Sequence, residues 1–176
     1  MYADILILGE LLSGPKHGYE IKKDVQRALG EGFELNNNLL YPALRRFLET
    51  GAISKQVIKA EGKPDRNVYI LTDEGERRFY ELIRDFPAKS AANSIDFLVR
   101  VAFFDRLDPD VAQGILQTRQ DVLWKQLEFC RDIETVHSEL AWAMEVVRFQ
   151  ITQIESELAW IDELKRKLQS GEAPAR

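Results

Sequence analysis

Apolar residues recur at helical spacing at the start of the chain, where Ile5, Leu8, Leu11 and Leu12 predict a helix over Ala3–Leu12. Ser13-Gly14-Pro15 ends it. Ile21, Val25 and Leu29 predict a second helix over Gly18–Leu29, closed by Gly30-Glu31-Gly32. Asn36-Asn37-Asn38 offers three N-cap candidates for a third helix. That helix carries Leu40, Leu44, Phe47 and Leu48 on one face and stops at Gly51. Pro42 is expected in or just past its first turn, where a missing N–H costs least. The period then changes to alternation. Residues 53–58 and 67–71 read as short strands, with Lys59–Arg66 as a hairpin loop broken by Gly62, Pro64 and Asp65. Thr72-Asp73-Glu74-Gly75 caps a fourth helix that ends near Phe86-Pro87. Three helices, a hairpin and a helix make the order of a winged helix-turn-helix, whose third helix reads the major groove.

The second half is helical throughout. Residues 88–94 read as a linker between a domain at 1–87 and one at 95–169, with a flexible tail at 170–176. A helix through Ile95–Phe104 breaks before Asp108-Pro109, an N-cap with Pro at the first helical position. Two long helices follow, near Pro109–Arg131 and Glu139–Leu168. In the last, Leu140, Met144, Val147, Ile151, Ile154, Leu158 and Ile161 form a heptad seam, the expected dimerisation surface. Trp142, Val146, Phe149 and Trp160 lie on roughly the opposite side. A helix apolar on two faces must be covered twice. The preceding helix can cover one side, and a second copy of the chain is the economical cover for the other, which predicts an isologous homodimer. Packing of this helix on the N-terminal domain of a monomer is the alternative. The fold class is thus mainly α with a small β-hairpin: a winged helix-turn-helix followed by a helical dimerisation domain.

Composition narrows the function. The 176 residues are 45% hydrophobic and 30% charged, which fits a globular chain rather than a disordered or membrane-embedded one. No apolar run approaches the roughly 20 residues that span a bilayer, and the first residues lack the basic region of a signal peptide. The expected address is the cytoplasm, with no membrane partner. A single Cys130 and two His leave no disulfide framework and no Cys/His zinc site, and no cofactor or metal is expected. No phosphate-binding Gly loop, nucleophile elbow or zincin motif is present, and His17 and His137 lie far apart in sequence, so an enzyme is not expected. The net charge of −5 argues against nucleic acid until its distribution is read. Residues 45–66 hold six basic side chains against three acidic ones, a local +3. Phosphate binding responds to that local potential.

Candidate DNA contacts follow from the predicted placement. Asn37, Tyr41 and Arg45 share the outward side of the third helix, where Asn suits adenine and Arg suits guanine or phosphate. At least one residue of Asn36, Asn37 and Asn38 caps the helix instead, and Tyr41 is read equally as a half-buried packing residue. Lys59, Lys63 and Arg66 make a basic wing. Lys16, His17 and Tyr19 open the second helix, whose N-terminus favours phosphate. Pro42 completes the expected set. Trp124, Trp142 and Phe97 are candidates for a pocket that stacks a small aromatic effector, although core packing accounts for most such residues.

Four blocks carry a family resemblance. Leu8-Gly9-Glu10-Leu11-Leu12, Gly14-Pro15-Lys16-His17-Gly18-Tyr19-Glu20-Ile21, Leu40-Tyr41-Pro42-Ala43-Leu44-Arg45-Arg46 and Arg66–Gly75 resemble, in order and spacing, the PadR family of transcriptional regulators. Asp96-Phe97-Leu98, the Trp124 helix and the terminal Trp160-Ile161-Asp162-Glu163-Leu164 resemble the C-terminal dimerisation domain of its longer type. The resemblance implies a homodimeric winged-helix regulator, usually a repressor on an inverted-repeat operator in double-stranded DNA, released by a small molecule; the founding effectors are phenolic acids. It also implies DNA contacts by Tyr19, Tyr41 and the start of the third helix, with Lys63 and Arg66 in the wing. In one departure, Asn38 and Leu39 stand where the family usually has a small residue and Thr. That bears on base preference and on the cap, not on the fold. A ligand-sensing or protein-interaction module that keeps the winged helix without operator binding is the competing expectation.

Overall fold

The computed structural model describes the backbone of residues 2–30, 32, 33, 35–60, 63–136 and 141–171, and all of their side chains but those of 59, 60, 63–65 and 136. The chain divides into two units, Met1–Asp85 and Phe86–Arg176. It is mainly helical with one three-stranded antiparallel sheet.

The first unit is built around α1 (Tyr2–Leu11), whose Ala3, Ile5, Leu6, Ile7, Leu8 and Leu11 are all buried. A helix apolar on every side has to be surrounded. It is packed by α2 (Gly18–Leu29), α3 (Asn37–Glu49) and α4 (Asp73–Arg84). Ile21 and Val25 of α2, Leu40, Ala43, Leu44 and Phe47 of α3, and Phe79 and Ile83 of α4 complete the core. Gly51 takes φ 73° after α3, a left-handed turn that side chains resist and that ends the helix.

The sheet order is β1 (Lys16–His17), β3 (Lys63–Leu71), β2 (Ile53–Ala60). Ile53 pairs with Leu71 and Ile58 with Arg66, and an irregularity follows before Ala60 pairs with Lys63. The wing strands therefore run further than alternation alone predicted. Lys59 and residues 63–66, expected in a loop, belong to strands. Pro64 is tolerated because β1 reaches β3 only at Val68 and Tyr69, so β3 has a single neighbour at the wing end. Residues 61 and 62 at the tip lie outside the described chain.

In the second unit, α5 (Ala88–Ala91) occupies the expected linker, and Ala91 is fully buried. Next come α6 (Ser94–Val101), a 3-10 turn (Phe104–Arg106), α7 (Pro109–Val136) and α8 (Ala141–Ser170). The last two run antiparallel: Gln120 donates to Asp162, and Arg131 pairs with Glu155, each at 2.8 Å. Arg148 pairs with Glu134 at the same distance.

The seam expected between two chains lies within one. Leu158 and Ile161 pack with Leu116, Leu123 and Leu127 of α7, while Met144 and Val147 pack with Cys130. Ile151 and Ile154 are half-buried beside both clusters, and Leu140 falls outside the described residues. Periodicity showed that this face is covered but not by what, and α7 covers it. The exposed apolar line is the other one, with Trp142 86%, Val146 58% and Phe149 61% exposed.

Candidate nucleic-acid interface

The N-terminus of α3 is held by Asn36, whose Oδ1 accepts the Leu39 N–H at 3.1 Å. Of the three asparagines, Asn36 is thus the cap. Asn37 and Asn38 follow it on the first turn, exposed. Pro42 lies just past the first turn and removes the N–H that would bond the Asn38 carbonyl. With Leu40, Ala43, Leu44 and Phe47 turned inward, Asn38, Tyr41, Pro42 and Arg45 form the exposed face. Arg45 has no hydrogen-bond or ion-pair partner among the described residues. Its neighbour Arg46 does, pairing with Asp4 of α1 at 2.5 Å. The two arginines therefore differ in role: Arg46 fastens α3 to α1, and Arg45 is left to solvent.

The opening of α2 is built into the sheet. Lys16 and His17 pair with Tyr69 and Val68 of β3. Glu20 Oε2 accepts the His17 N–H at 2.6 Å, and His17 Nδ1 donates to the Asn67 carbonyl at 2.9 Å. The imidazole thus ties the α2 N-terminus to the wing. Lys16, expected among the phosphate contacts, points elsewhere. Its ammonium donates to Glu10 at 2.6 Å and to Asp24 at 2.7 Å. Burial disfavours the charged ammonium, but its hydrogen bonds to Asp24 and Glu10 and their negative charges outweigh it and raise its pKa.

Between these elements lies a concavity of about 530 Å³ lined by His17, Gly18, Tyr19, Glu20, Tyr41, Arg66, Asn67 and Tyr69. It joins the N-terminus of α2, the exposed face of α3 and the root of the wing. Tyr19 is 71% exposed and Tyr41 50%, with the Tyr41 ring against Gly18. Tyr41 is thereby both things weighed for it, packed on one edge and open on the other. Tyr69, which sequence reasoning missed, is buried beneath. Burial and the nearby Tyr41 push its phenol pKa up, so it stays neutral. Arg66 is exposed on β3, beside the cleft. Lys59 and Lys63 lie at the wing end of β2 and β3. One edge of the unit thus presents amides, phenols and free guanidinium groups together, a set suited to base edges and phosphates.

The expected effector residues are not brought together. Phe97 is fully buried, stacked on Phe86 at 6.1 Å and edge-on to Trp160 at 6.1 Å. Trp124 is half exposed over a shallow concavity of α7 side chains. Trp142 stands on the open side of α8. Among the described residues no cluster of His, Cys, Asp and Glu is placed to hold a metal ion, and no helix is long and apolar enough to cross a membrane.

Comparison with known proteins accounts for both halves. Residues 7–81 match the family described as "Transcriptional regulator PadR-like family", and residues 95–169 match "Virulence activator alpha C-term". The chain is 25% identical over 144 residues to the negative transcriptional regulator PadR of Bacillus subtilis (strain 168), covering 81% of this chain and 77% of that one. The structure of Bacillus subtilis PadR in complex with operator DNA is 21% identical, covers 94% of this chain and 98% of its own, and superposes with a TM-score of 0.45. A PadR family transcription regulator from hypervirulent Clostridium difficile R20291 is 32% identical over 46% of this chain and 82% of its own, with a TM-score of 0.40. The chain belongs to the PadR-like family of transcriptional regulators, a family of regulators and not of enzymes.

Proposed function

We propose that this chain is an operator-binding repressor that acts as a homodimer on an inverted repeat. The observation that carries the reading is the exposed face of α3, where Asn37, Asn38, Tyr41 and Arg45 stand free of the core beside the cleft that Tyr19 and Arg66 line. Asn38, Tyr41 and Arg45 meet base edges in the major groove; Tyr19, Arg66 and the basic wing residues Lys59 and Lys63 meet the backbone. His17 is a positioning residue that holds the helix opening against the wing. The negative regulation named for the Bacillus subtilis relative supports the sign of control.

The second copy covers Trp142, Val146 and Phe149, an exposed line that water disfavours. Two recognition helices related by that dyad would enter major grooves about 34 Å apart on one side of the duplex. The dispersal of Trp124, Trp142 and Phe97 leaves the effector without a built site in this reading. Fluorescence anisotropy on DNA from upstream of the chain's own gene tests it. Saturable binding that resists competition by random duplex is expected, weakened by Arg45→Ala. Equal affinity for both duplexes would favour the interaction-module alternative. Sedimentation at micromolar concentration should give a dimer, and Trp142→Lys should give a folded monomer.

A further inference from the structure

We propose that Leu39, with Pro42 beside it, is a base-reading contact that takes the 5-methyl group of thymine. The proposal rests on the DNA-binding reading above and extends it to a residue that none of the other contacts requires.

Helix α3 buries its large apolar side chains thoroughly, with Leu40, Leu44 and Phe47 each about 1% exposed. Leu39 is the most exposed leucine of the helix, at 37%. Its backbone position is fixed, since its N–H is the one the Asn36 cap accepts. Pro42 is exposed three residues on, and residues three apart are neighbours on a helix surface. Together they make an apolar spot on the first two turns, bordered by the exposed Asn38 and Arg45. Such a spot has one match in the major groove. The donors and acceptors of the groove floor would be left unpaired by Leu39, whereas the thymine methyl is apolar and projects into the groove. A phosphate cannot use Leu39 either, so the contact adds sequence preference without adding salt dependence.

The test starts from a randomised duplex library selected with the full-length chain. Enriched duplexes are then remade with each thymine in turn replaced by deoxyuridine, which deletes only the methyl. One or two such replacements in each half-site should weaken wild-type binding about four-fold, the worth of one buried methyl group. In Leu39→Ala, which favours the helix and leaves the buried Leu40, Leu44 and Phe47 in place, the same replacements should cost nothing. Uniform tolerance of deoxyuridine, or an unchanged penalty in Leu39→Ala, would overturn the assignment while leaving DNA binding intact. Failure of the library to enrich any sequence would instead contradict the DNA-binding reading itself.

Discussion

Arg119 is a buried charge at the junction of three helices of the second unit, and its replacement has a calculable cost. It is 3% exposed, yet it carries a charge. Nε and Nη2 donate to the two oxygens of Glu157 at 2.8 Å each, Nη1 donates to the Ala91 carbonyl, and the guanidinium lies 5.7 Å from the centre of the Phe97 ring. One side chain thus joins α5, α7 and α8. Arg119→Met keeps the volume but leaves the Glu157 carboxylate and the Ala91 carbonyl unpaired. Removing one partner of a buried pair costs about 3–5 kcal/mol. The Glu157 side chain is 22% exposed, and the water it can recruit places the loss near the lower end, about 3 kcal/mol. Arg119→Lys keeps the charge without the fork and should lose roughly half as much. Arg119→Met combined with Glu157→Leu removes both charges and should be more stable than the sum of the single losses predicts. Urea unfolding at one protein concentration, followed by tryptophan fluorescence, measures this cleanly. Trp124, Trp142 and Trp160 all belong to the second unit, so the signal reports that unit alone. A loss below about 1 kcal/mol for Arg119→Met, or strict additivity in the double variant, would refute the reasoning.

Three further outcomes follow from the first unit. Gly75→Ala places a Cβ 2.0 Å from the Ala52 carbonyl oxygen, a backbone atom that cannot yield, and should cost about 3 kcal/mol or more by thermal melting. The Lys16 pKa is raised in the fold above its ordinary 10.5, so its contribution to stability is complete below that value and is lost as pH rises through the folded value; Lys16→Met should flatten the fall in stability above pH 10.5. Tyr41→Ala should weaken binding to the selected operator far more than to random duplex, whereas Arg66→Ala should weaken both alike and lower the salt slope by about one; anisotropy at several salt concentrations separates the two.

What was legible in the sequence was local. The bounds of α2 were readable because Gly18 and Gly30 punctuate a clean Ile21, Val25, Leu29 stripe, and its observed span is Gly18–Leu29. What was misread depended on neighbours distant in the chain. Pro64 signals a break in isolation, but with no third strand beside it β3 continues through it. The heptad stripe of α8 says that a partner exists, and only the antiparallel course of α7 shows that the partner is intramolecular. Residues 88–94 look like a linker because they are small and polar, but small size is also what lets Ala91 sit under Arg119. The fates of Lys16 and Arg46 were set by Glu10, Asp24 and Asp4, carboxylates that spacing alone does not single out. Tyr69 left a faint signal, as an aromatic in the strand predicted just after Arg66.

The most direct measurement is a guanine-methylation interference and hydroxyl-radical footprint of the full-length chain on its selected operator. If two α3 helices straddle a dyad, two symmetric patches of major-groove interference should appear with centres about one helical turn apart on one side of the duplex. A single asymmetric patch, or protection confined to the minor groove, would contradict the account.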